Sequence, residues 1–155
     1  MTRLVLTFSD SAGGALKKGA GLADCVLPFG LNFVWGQLQS PAELERRLAP
    51  RSAEGEAIGD HWLDNLRGMQ LEEARSHGLG LVEFCARFDA IELWVGPEPN
   101  VQLILIWLLD YLRSHEMIVS KLNLVQADTP IGNHSSEEIA AWRIPAIKIL
   151  NGHLE

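Results

Sequence analysis

The sequence has few cysteines, and their positions exclude two classes of protein. Its 155 residues include two cysteines, Cys25 in a short apolar run and Cys85 in an amphipathic stretch. Their spacing matches neither a zinc site nor a disulfide framework. We interpret both as small buried side chains in a reducing compartment, which predicts a cytoplasmic protein.

Long hydrophobic runs are also missing. The N-terminal run Leu4–Phe8 is too short for a signal peptide and lacks the small-residue cleavage site. The longest apolar run, Val101–Leu109, contains Gln102 and falls far short of the roughly 20 residues that span a bilayer. The sequence therefore predicts a soluble protein with no membrane partner.

Basic residues are scarce and scattered. The chain has 13 lysines and arginines against 20 acidic residues, and its formal net charge is −7. The densest basic groups are the pairs Lys17–Lys18 and Arg46–Arg47. Because nucleic-acid binding needs a basic surface that neutralises phosphates, we expect no nucleic-acid partner.

The chain does have the composition of a globular domain, with 47% hydrophobic and 21% charged residues. Short apolar runs alternate with amphipathic segments. Strands are predicted at 3–8, 24–28, 90–95 and 121–126, with an edge strand or extended tail within 143–150. Helices are predicted from about Ser11 and at 41–49, 59–77, 79–88, 101–115 and 136–142.

This alternation predicts an α/β fold with three layers, a mostly parallel sheet of about four to five strands with helices on both faces. Right-handed crossovers and strand order 2-1-3-4 would make the fold Rossmann-like or flavodoxin-like. The order reverses between the first and third strands, and ligands of such sheets bind beyond the carboxyl ends of the strands at that point. The loops predicted to line this crevice are 9–14 and 96–100.

Polar residues in these two loops are the candidate ligand-binding residues: Asp10, Ser11, Gly13, Glu98, Asn100 and Gln102. A helix that begins near Ser11 suits a small anionic or nucleotide-like ligand, because its first N–H groups lack partners. The alternative is that Asp10 or Ser11 caps the helix.

The second loop has two interpretations as well. Glu98 and Asp10 could form an acid–base pair or bind a divalent cation across the crevice. Alternatively, the prolines stiffen the turn, Asn100 caps the next helix and Glu98 is solvated.

Ser11 as a nucleophile would use His134 as its base, but the Gly-x-Ser-x-Gly elbow is missing. The histidines show no metal-ligand spacing, so no metal site is predicted, and the cofactor is left open.

The loop 29–40 has no helical period but contains the aromatic residues Phe29, Phe33 and Trp35. Large aromatic side chains in a loop cover a pocket or the core, or form an interface between copies of the chain. The second interpretation predicts a homodimer.

Three motifs occur in the order typical of one bacterial family: residues 6–16, residues 24–29, and residues 93–97 with Gln102 and Leu103. Over residues 1–126 the chain resembles the domain-of-unknown-function family numbered 1835. Asp10 and Ser11 match its Gly-Asp-Ser motif, whereas Ser9 replaces the glycine.

The chain departs from the family at two further places. Residues 30–33 lack the acidic residues usual there, and the turn 96–100 replaces an Asp or His-Asp pair with Glu98 as its carboxylate. The family usually continues into further C-terminal helices, which implies a truncated chain, and no established activity comes with it.

The resemblance divides the chain into an α/β domain, 1–126, and a C-terminal extension, 127–155, within one globular unit.

The sequence leaves two classes of function open. The first is a regulatory or protein-interaction module without a working site. The alternative is a small-ligand or nucleotide-binding domain, or a hydrolase or transferase, that uses the strand-end crevice.

Overall fold

The computed structural model describes residues 2–8, 12, 16, 25–28, 41–50, 77–142, 144 and 146–149. Within these ranges the strands are β1 (Arg3–Thr7), β2 (Cys25–Pro28), β3 (Ala90–Val95), β4 (Leu122–Gln126) and β5 (Ile147–Lys148). The helices are α1 (Pro41–Leu48), α2 (Leu81–Cys85), α3 (Pro99–Leu112), α4 (Glu116–Val119) and α5 (Ser136–Ala140), with a 3₁₀ turn at Ile131–Asn133.

The five strands form one sheet in the order β2-β1-β3-β4-β5. The first four run parallel, and β5 pairs antiparallel with β4, where Lys148 lies opposite Asn123. The α/β class and the mostly parallel sheet are therefore confirmed. The observed order extends the predicted 2-1-3-4 by a short fifth strand at the edge.

Successive residues of a strand point to opposite faces of the sheet. Apolar side chains of these strands are buried on both faces. Leu4 and Leu6 of β1 belong to one buried cluster with residues of α2, α3 and α4. Val5 of β1 and Trp94 of β3 belong to a second cluster with Ile131 and Ile139. Burial on both faces explains why the parallel strands have nearly continuous apolar sequences.

The start of β1 is tied to the start of β3 by Thr2 and Asp89. The Thr2 backbone N–H and hydroxyl donate to Asp89 Oδ2 at 2.8 and 3.1 Å. The backbone N–H groups of Asp89 and Ala90 donate to the Thr2 carbonyl oxygen at 3.0 and 3.1 Å. The bonds from Thr2 hold the pKa of Asp89 below its usual value and fix the register of the two strands.

Both cysteines are buried free thiols, as the sequence predicts. Burial raises the pKa of the Cys85 thiol to about 12, so the group stays protonated and unreactive at neutral pH.

Helix α3 differs from its prediction in two ways. It begins at Pro99, with Glu98 as its N-cap, two residues before the predicted start, so the interpretation of Asn100 as the cap is wrong. Its apolar residues also occupy most of the helix circumference, a pattern that predicts a helix well buried against the sheet. Leu103 and Ile106 are instead 43% and 64% exposed.

Most other predicted elements have shifted ends. The predicted helix 79–88 is the short helix α2, and the last strand is Ile147–Lys148 alone. Residues 135–138, Ser-Ser-Glu-Glu, predict a capped start for α5. This is confirmed, since Ser135 Oγ accepts the Glu138 backbone N–H at 3.2 Å. The loop 29–40 lies outside the described residues, as does all of the predicted helix 59–77 except His77. No helix in the described part of the chain is long and apolar enough to cross a membrane.

A close approach at Gly80 yields a prediction about stability. A Cβ atom at Gly80 would lie 2.7 Å from the Leu48 carbonyl oxygen and 2.8 Å from the Pro50 nitrogen, where α2 begins beside the end of α1. Gly80→Ala is expected to lower the free energy of unfolding by about 1–3 kcal/mol, because backbone atoms must shift. Urea denaturation measures this loss.

Glu83 Oε2 also lies near that Cβ position, so the control is Gly80→Ala made in a Glu83→Ala background. The loss should persist there, because the clash with backbone remains. Full recovery of stability in this background would show that only the flexible Glu83 side chain was in the way.

Candidate functional site

A cleft of about 260 Å³ opens at the carboxyl edge of the sheet, between the ends of β1 and β3. The end of β1, the turn into α3 and the loop after β4 contribute its walls. Among the residues that the structure describes, its lining includes Thr7, Phe8, Ala12, Trp94, Gly96, Glu98, Asn100, Val101, Pro130, Ile131, Gly132 and Asn133. The cleft is therefore at the reversal of strand order where the sequence predicts it.

Thr7 and Trp94 join the two strands at the cleft. Among the described residues of the core, Thr7 is polar and buried, with 1% of its surface exposed. Its hydroxyl donates to the Trp94 carbonyl oxygen at 3.1 Å. A hydroxyl oxygen can also accept hydrogen bonds, so Thr7 supplies the cleft with a fixed polar atom.

A polar network on the same face of the sheet holds Trp94. Its indole Nε1–H donates to Glu92 Oε1 at 2.8 Å, and Arg3 Nη2 donates to the same oxygen at 2.8 Å. Glu92 and Trp94 are two residues apart on β3 and so point to one side of the sheet. The network fixes the orientation of the Trp94 side chain beside the cleft.

Glu98 is a carboxylate in an unusual environment. It is the N-cap of α3, yet its side chain makes no capping hydrogen bond. The carboxyl group lies against Gly96, where a Cβ atom would meet it. Its Oε1 atom is shielded from solvent and accepts no hydrogen bond from the part of the chain that is described.

Burial is the main reason that the pKa of Glu98 lies above its usual value, and a hydrogen bond from its own backbone N–H opposes the shift only in part. A carboxyl group with a raised pKa takes and releases protons closer to neutrality than an exposed one. The described part of the lining therefore includes a group that can bind or exchange a proton.

Gln102, a predicted binding residue, does not line the cleft. Its Nε2 donates to the Gly96 carbonyl oxygen at 2.7 Å and to Gln126 Oε1 at 3.2 Å. Gln126 Nε2 donates in turn to the Ala127 carbonyl oxygen at 3.0 Å. Gln102 thus braces the turn that carries Glu98.

The structure brings only some of the candidate residues to the cleft. Glu98 and Asn100 both line it. Asp10, Ser11 and Gly13 lie outside the described residues, so the proposed Asp10–Glu98 pair stays a prediction. Among the residues described, no group of three or more His, Cys, Asp and Glu side chains could hold a metal ion.

His134, the predicted base for Ser11, is engaged by its own loop and helix. Its Nε2 and the Thr129 hydroxyl are 2.7 Å apart, and its Nδ1 lies 2.8 Å from Glu138 Oε2. The ring packs edge-on against Trp142, with centroids 4.9 Å apart. These contacts give His134 a structural part in holding α5.

Residues 130–133 after β4 line the cleft but were not predicted from the sequence, and neither were Thr7 and Trp94. The signal for the loop 130–133 was available, because the carboxyl ends of parallel neighbours share one edge of the sheet. Thr7 and Trp94 stand inside apolar strands, where no pattern separates them from core residues.

Comparison with known proteins adds no assignment. No protein-family model matches the chain, and no curated protein matches it. The resemblance to family 1835 therefore stays a prediction from the motifs.

Two glutamates should give opposite pH dependences of stability. Glu98 has a raised pKa, so its contribution relative to Glu98→Gln is present at low pH. It should be lost as the pH rises from about 4.3, the usual value for glutamate, through the raised pKa. Chemical denaturation of both proteins across this range measures the difference.

Glu138 is the matched control. Hydrogen bonds from His134 and from the Ser135 backbone hold the pKa of Glu138 below its usual value. Its contribution relative to Glu138→Gln should therefore be present above about pH 4.3 and be lost as the pH falls through the lowered pKa. The same sign of pH dependence for both glutamates would refute this description of Glu98.

Proposed function

We propose that this protein is a small-ligand-binding domain that uses the strand-end cleft. The observation that carries the proposal is the cleft itself, at the point where strand order reverses between β1 and β3. Sites for small molecules are concave and mostly apolar, with a few polar groups that fix the ligand. Phe8, Trp94, Val101 and Ile131 supply the apolar part, and Glu98 is the main polar group.

The size of the cleft limits the ligand. Its volume of about 260 Å³ is just below the range of about 300–1,000 Å³ that is typical of sites for drug-sized molecules. One ring system, such as the base of a nucleotide-like ligand, is of the appropriate size. In this proposal the domain is a Rossmann-like member of the α/β class, located in the cytoplasm.

A regulatory or protein-interaction module is the second candidate. It is favoured by Leu103 and Ile106, two exposed apolar side chains three residues apart and so on one face of α3. The two candidates are compatible if ligand binding controls the affinity for a partner.

A thermal-shift screen with nucleosides, nucleotides, sugar phosphates and small amines tests the proposal. A ligand at 100 times its dissociation constant should stabilise the fold by about 2.7 kcal/mol and raise Tm by several degrees. The increase should disappear in Asn100→Trp, because Asn100 lines the cleft and a large ring there fills it.

Met117→Trp is the matched control. Met117 is 75% exposed and precedes β4, so it lies at the opposite edge of the sheet. This variant should keep the full shift. A shift that survives Asn100→Trp would place the ligand elsewhere, and no shift with any compound would favour the interaction module.

A further inference from the structure

The ionisable side chains that line the cleft decide which ligand charges it favours. Glu98 is the one ionisable side chain among the described residues of the lining. The chain as a whole carries a formal charge of −7. An anionic group that enters this part of the cleft meets a carboxyl group and no described basic side chain, which disfavours binding.

One oxygen of the Glu98 carboxyl group lacks a hydrogen-bond donor. Its Oε1 atom is shielded from solvent and accepts no hydrogen bond within the described chain. Native structures rarely leave a buried polar atom in this state, and a ligand with a suitable donor would satisfy it. Oε1 therefore has acceptor capacity that the described residues do not use.

The geometry of the carboxyl group allows two bonds to a ligand. The terminal torsion of glutamate is broad, and a change of the side-chain torsions can turn the carboxyl group from Gly96 towards the cleft. A carboxylate accepts two parallel N–H bonds from a planar fork of donors, and such charge-assisted pairs are stronger than single neutral bonds. The apolar walls formed by Phe8, Val101 and Ile131 suit the ring that carries such a fork.

We propose that the cleft selects a small planar ligand that presents two adjacent N–H donors to Glu98. Amidinium and guanidinium groups have this arrangement, and so does the amino edge of a guanine-type base. The inference rests on the proposed ligand-binding function and names the chemistry of its ligand. It replaces the anionic part of the ligand expected from the sequence with a donor-bearing ring.

Isothermal titration calorimetry with matched probes tests the inference. Benzamidine is compared with benzoate, which has an anionic carboxylate in place of the amidinium group. Guanosine is compared with inosine, which lacks the exocyclic amino group, and ribose 5-phosphate serves as an anionic probe. Benzamidine and guanosine are the fork-bearing probes, because each presents two adjacent N–H donors. At least one of them should bind about ten times more tightly than the compound it is compared with. Selective binding of benzamidine but not of guanosine would indicate a cationic ligand. Selective binding of guanosine but not of benzamidine would indicate a nucleobase.

Three variants connect this selectivity to Glu98. Glu98→Gln keeps the shape of the side chain but replaces one acceptor with a donor, so affinity for the fork-bearing probe should fall at least tenfold. Gly96→Ala keeps the carboxylate but displaces it, because the new Cβ occupies its position. The affinity of the Gly96→Ala variant for the fork-bearing probe should therefore also fall. Glu116→Gln, at an exposed position of α4 near the other edge, should change nothing.

The failures of the two proposals can be distinguished. Equal binding of benzoate or ribose 5-phosphate that is unaffected by Glu98→Gln would overturn the inference and leave the binding function standing. The same conclusion follows if compounds from the thermal-shift screen bind in the cleft but no fork-bearing probe does. If nothing binds in either experiment, both proposals are wrong.

Discussion

The parallel pairing of β1 with β3 positions nearly everything else in the described structure. Hydrogen bonds between Thr2 and Asp89 join the strands at their amino ends, and the Thr7 hydroxyl joins them to Trp94 at their carboxyl ends. With β2 on one side of this pair and β4 on the other, the order of the strands reverses between β1 and β3. In parallel sheets such a reversal is where a cleft opens at the carboxyl ends of the strands.

Polar groups on the sheet act mainly by fixing positions. The Arg3–Glu92 ion pair is partly exposed, with 24% and 18% of the side-chain surfaces accessible. Pairs of this kind contribute about 0–1 kcal/mol when solvated, so the pair is a weak source of stability. Its larger effect is to hold the oxygen that accepts the Trp94 indole N–H, and so to orient a wall of the cleft. Gln102 does the same for the turn that carries Glu98.

The sequence predicts β1 and β3 well because each is a short apolar run bounded by polar residues or glycine. Strand β3 is found at its predicted bounds, Ala90–Val95. The start of α3 was missed although Pro99 is a typical first helical residue, since Asn100 offered a competing cap. Side-chain faces could not be predicted, because strands that are buried on both sides carry no alternating pattern.

The candidate site was predicted in part for the same reason. Glu98 and Asn100 follow a strand and are polar, so strand order was enough to place them at the cleft. Gln102 braces the turn instead of lining the cleft, because its Nε2 donates to the Gly96 carbonyl oxygen and to Gln126 Oε1. Only the tertiary structure provides these distances. Likewise, no feature of the sequence shows that burial raises the pKa of Glu98.

The most direct measurement is a crystal structure of the protein soaked with small nitrogen-containing fragments. We expect electron density for a fragment between Thr7, Trp94 and Glu98, with its N–H groups within hydrogen-bond distance of the Glu98 carboxylate. A cleft filled by side chains of the chain itself, with fragments bound only elsewhere, would contradict it.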